Sequence, residues 1–367
     1  MLLKIKNCLP DQYAHDSDRQ HALENLIMSS AFRHNIIILD TKTIESILIC
    51  DMYNTNIKNY THDIRSYRRE YAGIANTLST HAVVDFNYEG DICAFEKGKP
   101  IIKVSYKYFI DPKNLGPITL LTENLEDFKL YNIITEYYSH SISDHKLNFS
   151  FDFSLGGGSQ IKTMFDNIKN AKKLVLCIVD SDKYHPNMAE GSTSSPFSKE
   201  DRENIDGSLA YIIDMREIET LIPTNIIQKI AIEKKLDEQI ESLDDITTFT
   251  SIEGQFRKFF DHKKGLTLKE AIHIDNTYSS FWLDILAKKT IFSSKSCLQD
   301  KECYGCNSCP KIIGFGDKIL RHSIEKMQQS NLRRLSVDQD ILNDWITIGE
   351  IMIGWGCVPA GQRSRSS

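Results

Sequence analysis

Leu174-Val175-Leu176-Cys177-Ile178-Val179-Asp180-Ser181-Asp182 is the stretch on which the fold turns. Its apolar run stops abruptly at an acid, as expected of a strand buried on both faces, and such strands belong to parallel sheets covered by helices on both sides. Upstream, Ile118-Thr119-Leu120-Leu121-Thr122 reads as a first buried strand, followed by a helix from about Leu125 to Ser139 with apolar positions at Leu125, Phe128, Tyr131, Ile134 and Tyr138. Leu147–Phe153 alternates as a second strand. Gly156-Gly157-Gly158 then predicts a sharp turn into a helix whose apolar face is Ile161, Met164, Phe165 and Ile168. Leu174–Val179 is the third strand and Leu209–Asp214 the fourth. Strands and helices alternating at this short spacing imply right-handed crossovers and an α/β fold built on a central parallel sheet flanked by helices. The polar insertion between Tyr184 and Asp206, centred on Glu190–Pro196, reads as a mobile loop beside the carboxyl edge of that sheet.

The 367 residues are comfortable for two or three domains. Residues 1–113 mix apolar runs such as Ile36–Leu39 with a charged helical stretch around Asp63–Tyr71 and alternation near Ala82–Phe86 and Ile101–Tyr108. They read as an N-terminal α/β domain of unknown role, closed by Asp111-Pro112-Lys113 and Gly116-Pro117. Residues 117–225 carry the regular strand–helix pattern, and 226–367 a mainly helical C-terminal domain, with Ile226, Ile230, Leu236 and Ile240 on one stripe. An apolar fraction of 41% with 26% charged residues is that of a protein with a sizeable core. No apolar run approaches the ~20 residues of a membrane span, and Met1-Leu2-Leu3-Lys4 leads into polar sequence, so no membrane role and a cytoplasmic location are expected.

Three strands end in acids at the edge where open parallel sheets place their functional groups: Glu123 after the first, Asp180 and Asp182 after the third, Asp214 after the fourth. Carboxylates brought together repel and raise one another's pKa unless a cation sits among them, and hard oxygen ligands select Mg²⁺ or Mn²⁺. A cation so held acts on phosphate oxygens, which points to phosphodiester chemistry. Lys183, next to the paired aspartates, is a candidate for steadying phosphate charge, with a plain solvated lysine as the alternative. His185 and Asn187 either touch substrate or simply build a turn around Pro186.

With these residues in place, residues 117–225 resemble a TOPRIM domain. Leu121-Thr122-Glu123-Asn124-Leu125-Glu126-Asp127 looks like its first motif, Gly156–Gly158 its glycine turn and Val179-Asp180-Ser181-Asp182 its Asp-x-Asp motif. Arg216-Glu217-Ile218-Glu219-Thr220-Leu221-Ile222-Pro223 is similar to an element of the TOPRIM-like nucleases of bacterial defence, the OLD type included. The resemblance implies a Mg²⁺- or Mn²⁺-dependent site in which Glu123 is acid or base and Asp180 and Asp182 hold metal. Glu219 is then a further ligand and Glu217 a weaker one; Glu123 is counted among the metal ligands too, and Asp127 either joins them and orients the site or caps its helix. The family usually has glycine after the first acid; here Asn124 stands there, a residue that tolerates a left-handed backbone.

Cys297, Cys303, Cys306 and Cys309 place four of the nine cysteines close together, and in a reducing compartment such a cluster reads as a structural Zn²⁺ site, with an iron–sulfur cluster as the minor alternative. A net charge of −6 argues against a broadly basic nucleic-acid binder but not against a local groove. Lys162, Lys169, Lys172 and Lys173, the stretch Phe256-Arg257-Lys258-Phe259-Phe260 with His262-Lys263-Lys264, and Arg65, Arg68 and Arg69 are either backbone-binding patches or the wet faces of ordinary helices.

The expected function is a Mg²⁺-dependent nuclease acting on DNA or RNA, tRNA among the substrates to test. The resemblance adds an effector role in antiphage defence. With no Gly-x-x-x-x-Gly-Lys loop in the chain, a separate ATPase or sensor partner is expected; homo-oligomerisation is compatible with the sequence and not specified by it. Two other classes are open: a primase-like nucleotidyl transferase, which labelled-nucleotide incorporation would reveal, and a non-catalytic module binding nucleic acid or a phage protein, which would leave Mn²⁺ unbound.

Overall fold

The computed structural model describes residues 1–90, 92–95, 101–142, 147–305 and 308–359. The N-terminal third runs β1 (Leu2–Lys6), α1 (Ser17–Ala31), β2 (Ile36–Ile38), α2 (Thr41–Ile49), α3 (Thr55–Ile74), β3 (His81–Asp85), β4 (Ile92–Phe95) and β5 (Ile101–Ser105). Its five strands lie in the order β2-β1-β3-β5-β4, all parallel except the antiparallel edge strand β4. The charged stretch at Asp63–Tyr71 lies within α3. Side-chain caps start the helices here: Asp16, Asp40 and Asn54 each accept from a backbone N–H in the first turn of α1, α2 and α3.

The second sheet is the one expected from Leu174–Asp182. Its segment comprises β6 (Thr119–Thr122), α4 (Leu125–Tyr137), β7 (Asn148–Phe149), β8 (Asp152–Leu155), α5 (Ile161–Asn170), β9 (Val175–Asp180), α6 (Lys199–Arg202) and β10 (Ser208–Ile213). The order is β10-β9-β6-β8, and every pairing is parallel. The protein is thus α/β, with two largely parallel sheets. Alternation along β9 feeds two cores. Leu176 and Ile178 join Leu120, Leu130 and Ile134 beneath α4, whereas Val175, Cys177 and Val179 join Leu121, Ile161 and Phe165 beneath α5.

Two expectations are corrected. Leu147–Phe153 is not one strand: β7 pairs antiparallel with β13 (Cys357–Val358), near the chain's end, and only β8 enters the parallel sheet. Alternation alone could not reveal this, because a short kinked segment serving two partners keeps the period of a single strand. The insertion after β9 is not a loose loop either. Phe197 is buried edge-on to Phe165 at 5.3 Å, Arg202 forms a two-pronged ion pair with Glu190 at 2.6 and 2.8 Å, and the Gly191 N–H donates to Ser181 O at 2.9 Å.

The rest is mainly helical: α7 (Thr224–Lys234), α8 (Asp237–Ile252), α9 (Phe256–Phe259), β11 (Gly265–Thr267), α10 (Leu268–Tyr278), α11 (Trp282–Leu286), α12 (Thr290–Ser293), α13 (Ser296–Asp300), β12 (Lys311–Ile313), α14 (Ile319–Gln328), α15 (Gln339–Gly356) and the short β13. Residues from α8 to β12 surround their own core of Phe249, Phe256, Phe260, Trp282 and Phe292. The last two helices return to the main core, where Trp345 packs edge-on to Tyr137 at 5.2 Å and donates from Nε1 to Leu221 O at 2.9 Å. Farther along, Ile353 and Cys357 pack with Leu2, Ile36 and Tyr71 of the first sheet's layer. Helix α15 therefore ties both sheets together. Among the described residues no helix is long and apolar enough to cross a membrane.

Removing so large a fully buried ring leaves a cavity that its neighbours cannot close. Trp345→Ala is expected to lower the unfolding free energy by ~3–5 kcal/mol, read from urea unfolding followed at both near- and far-ultraviolet wavelengths. A loss under ~1 kcal/mol would mean that α15 is an appendage.

Candidate metal centre

Strands β6 and β9 are neighbours, yet the chain leaves β6 toward β8 on one side and β9 toward β10 on the other. That reversal is a topological switch point, where the two departing loops part and leave a crevice at the carboxyl edge. Glu123 follows β6 and Asp180 ends β9, so both stand at it. Burial, followed by the charge of Asp182, pushes Glu123 above the usual carboxylate range, against the opposing effects of Asp180 and Lys263. Asp180 is raised much further by burial, then by Glu123, Asp182, Asp127 and Glu219. The acids proposed from sequence at Glu123, Asp127, Asp180, Asp182 and Glu219 thus lie within electrostatic reach of one another.

Of the two roles expected for Asp127, the structure shows the helix cap. Its Oδ2 accepts from the Asn124 N–H at 3.2 Å while Asn124 Oδ1 accepts from the Asp127 N–H at 3.1 Å, a reciprocal cap on α4. Its other oxygen, Oδ1, is buried and without a partner. Asn124 is extended at φ −144° and serves as the helix cap, so no left-handed backbone is needed there. Burial raises the Asp127 carboxyl to about 7.

Asp182 is one of the few non-glycine residues in the left-handed region, at φ 57°. The backbone turns there, so Asp180 and Asp182 are not related by simple strand alternation. Ser181 fixes the turn from below, its N–H and Oγ both donating to Met215 O at 2.9 and 2.7 Å. Gly191 fixes it from above: a Cβ on Gly191 would stand 2.2 Å from Asp182 Cβ and 2.6 Å from its Oδ2. The glycine turn braces the other strand. Gly156 N–H donates to Thr122 O at 2.8 Å and Gly157 N–H to Glu123 O at 3.1 Å, so these two amides are spent on the protein rather than open to a phosphate.

Lys263, which in sequence is one of a basic run, stands against the two glutamates Glu217 and Glu219. Its Nζ lies 3.1 Å from Glu219 Oε1 and 3.4 Å from Glu217 Oε2, and despite burial the two carboxylates hold its pKa above the ordinary lysine value. Glu217 is fully engaged: its Oε1 also accepts from the His262 N–H at 2.6 Å. Burial alone would raise Glu217, but His262 and Lys263 outweigh it and its pKa lies below the ordinary value. Burial and then Glu217 raise Glu219 to about 7, and its Oε2 is buried with no partner.

Other predicted contacts turn inward. Lys183 pairs at 3.5 Å with Asp214, which is 69% exposed and so stands apart from the buried acids. His185 is buried, accepting from the Asn187 N–H at 3.0 Å and stacked on Tyr278, and Asn187 Nδ2 donates to Ser279 Oγ at 2.8 Å; both hold the loop after β9 onto α10. Lys162 and Lys169 pair with Asp201, and Lys169 also with Asp206 at 3.1 Å. Arg257 is buried against Asp338 at 2.9 Å. In the cysteine cluster, Cys297 and Cys309 pack against the second core, the Lys269 N–H donates to Cys309 Sγ at 3.4 Å, and Cys303 is half-buried; Cys306 lies outside the described residues.

Among the described residues, no three His, Cys, Asp or Glu side chains form a ready-made ligand cage. The acids nevertheless fit a hard divalent cation: every donor is a carboxylate oxygen, Asp127 Oδ1 and Glu219 Oε2 have no hydrogen-bond partner among the described residues, and burial, followed by neighbouring carboxylates, raises four of the five. The chain matches no protein-family model, no curated protein and no solved structure.

The raised carboxyls predict a pH signature. Folded Asp127 keeps a proton that the unfolded chain has released, so its contribution to stability is complete below about pH 4 and is lost as pH rises to about 7. Asp127→Asn keeps a cap acceptor and removes the titration. In EDTA the variant should gain on wild type by on the order of 1 kcal/mol per pH unit across that window, measured by urea unfolding from pH 4 to 8. A constant difference would place Asp127 in an ordinary solvated environment.

Proposed function

We propose that the protein is a metal-dependent phosphodiesterase, a TOPRIM-like nuclease cleaving DNA or RNA. The carrying observation is the meeting of Glu123 and Asp180 across adjacent parallel strands at a switch point, with Asp182, Asp127 and Glu219 in electrostatic reach. Asp180, Asp182 and Glu219 would hold Mg²⁺ or Mn²⁺, with Asp127 behind them. Bound there, the ion supplies charge that neutralises a phosphodiester and acidifies water.

The chain's own groups account for the rest. Glu123, half-buried and raised, is suited to take the proton of an attacking water. Lys183, held by an exposed aspartate in a pair worth little and by the face of the Phe259 ring 5.9 Å away, can turn toward a phosphate oxygen. Lys263 keeps Glu217 and Glu219 in place and offsets part of the site's negative charge. The resemblance in sequence supports an effector role in antiphage defence, restrained by a separate ATPase or sensor partner.

Incubated with single-stranded DNA, plasmid and tRNA, the wild-type protein should cleave at least one substrate with Mg²⁺ or Mn²⁺ and none in EDTA. Asp180→Ala should reduce the rate to background and Glu123→Gln by ~100-fold or more. Gly191→Ala should act without touching substrate, by displacing Asp182: apparent Mn²⁺ affinity falls while the urea midpoint moves little. Metal-independent activity, or full activity in Asp180→Ala, would overturn the assignment.

Cys297, Cys303, Cys306 and Cys309 we assign to a structural zinc. Mercurial titration should release about one zinc per chain, and loss of the ion should lower the thermal midpoint without changing the Mn²⁺ dependence of cleavage. Absence of zinc from protein purified without chelator would refute this.

A further inference from the structure

A cavity of about 580 Å³ opens between the loop after β9 and helix α10, lined in part by residues one or two positions along the chain from the acidic cluster. Three chain segments contribute to both. Asp182 belongs to the cluster and Tyr184 to the cavity wall; Glu217 to the cluster's edge and Arg216 to the wall; Lys263 to the cluster and Lys264 to the wall. The wall is therefore held in a fixed relation to the acids by two or fewer residues of backbone in each case.

Its chemistry is aromatic and cationic. Tyr184 and Tyr278 meet edge-on with centroids 5.9 Å apart, and the Arg216 guanidinium lies 5.7 Å from the Tyr184 ring. Lys264 and Lys269 are exposed at the rim. The acids present are already engaged: Asp261 accepts from Arg216 Nη2 at 2.6 Å and from two backbone N–H groups, and Glu270 caps α10 by accepting from Thr267. The wall is rigid, because Trp282 Nε1 donates to Tyr184 O at 3.1 Å and His185 stacks on Tyr278.

Resting on the phosphodiesterase reading of the adjacent acids, we infer that this cavity receives one unpaired nucleotide next to the scissile phosphate, so that the substrate is a single strand. The base lies against Tyr184 and Tyr278, and the flanking phosphates meet Arg216, Lys264 and Lys269. The volume suits a nucleotide, while a walled recess excludes a base still stacked in a duplex. Aromatic rings beside cations that track a backbone are the usual means of holding single strands.

Binding is separable from cleavage. Asp180→Ala protein in EDTA should bind fluorescein-labelled oligo-dT or oligo-U, with the preferred sugar shown by which arm is tighter, at least roughly tenfold more tightly than a duplex of equal length. Lys264→Glu with Lys269→Glu, both on the surface, should abolish that preference, and Tyr184→Ala should weaken single-strand binding by roughly tenfold. Equal affinity for duplex, no binding, or unchanged affinity in both variants overturns the inference. If wild type cleaves duplex and the cavity variants do not alter the rate, the cavity fails while the nuclease reading stands. If single strands bind through the cavity and no substrate is cleaved with any metal, the nuclease reading fails instead.

Discussion

Carboxylates drawn to one end of a parallel sheet repel one another, and that repulsion is the constraint around which the molecule is arranged. Asp180 is raised by burial and by four neighbouring acids, and nothing in the second sheet supplies a compensating charge within the strands themselves. For Glu123, Glu217 and Glu219 a compensating charge comes from Lys263, delivered by the C-terminal helical region and paired with both Glu217 and Glu219. A buried cluster left without such a partner would cost several kcal/mol per ion. The helical region is thus part of the site rather than a passenger.

The supporting structure is consistent with this. The segment between Tyr184 and Asp206 is polar in composition but packed in fact, with Gly191 pressed against Asp182 and Glu190 clamped by Arg202. Asp127 spends one oxygen on a helix cap and leaves the other buried and unmatched. Unmatched acceptors of this kind are rare in folded proteins and expensive to keep. A divalent cation is the ligand proposed here to relieve them.

Several of the chain's basic residues serve the fold. Lys162 and Lys169 fasten α5 to Asp201, and Arg257 anchors α9 to the start of α15. What is left near the acids is a small set around Tyr184, Arg216 and Lys264, close enough along the chain to move with the cluster. A net negative protein can therefore present a local cationic recess, since composition sums over the whole surface and recognition does not.

The sequence by itself determined the second sheet: buried apolar runs ending in Glu123 and Asp180, with Ile161 and Phe165 at helical spacing, leave few other ways to bury those side chains. It also brought Glu123, Asp180 and Asp182 to one edge, because parallel strands with short crossovers gather their carboxyl ends there, although Asp214, expected with them, stands apart. Only tertiary structure decided that Lys263 neutralises Glu219, that β7 belongs to the chain's end, that α15 joins both sheets, and that Lys183 faces Asp214. The physical reason is the same for each: these contacts join residues tens to hundreds of positions apart, and local periodicity reports which face of an element is buried but not what lies against it.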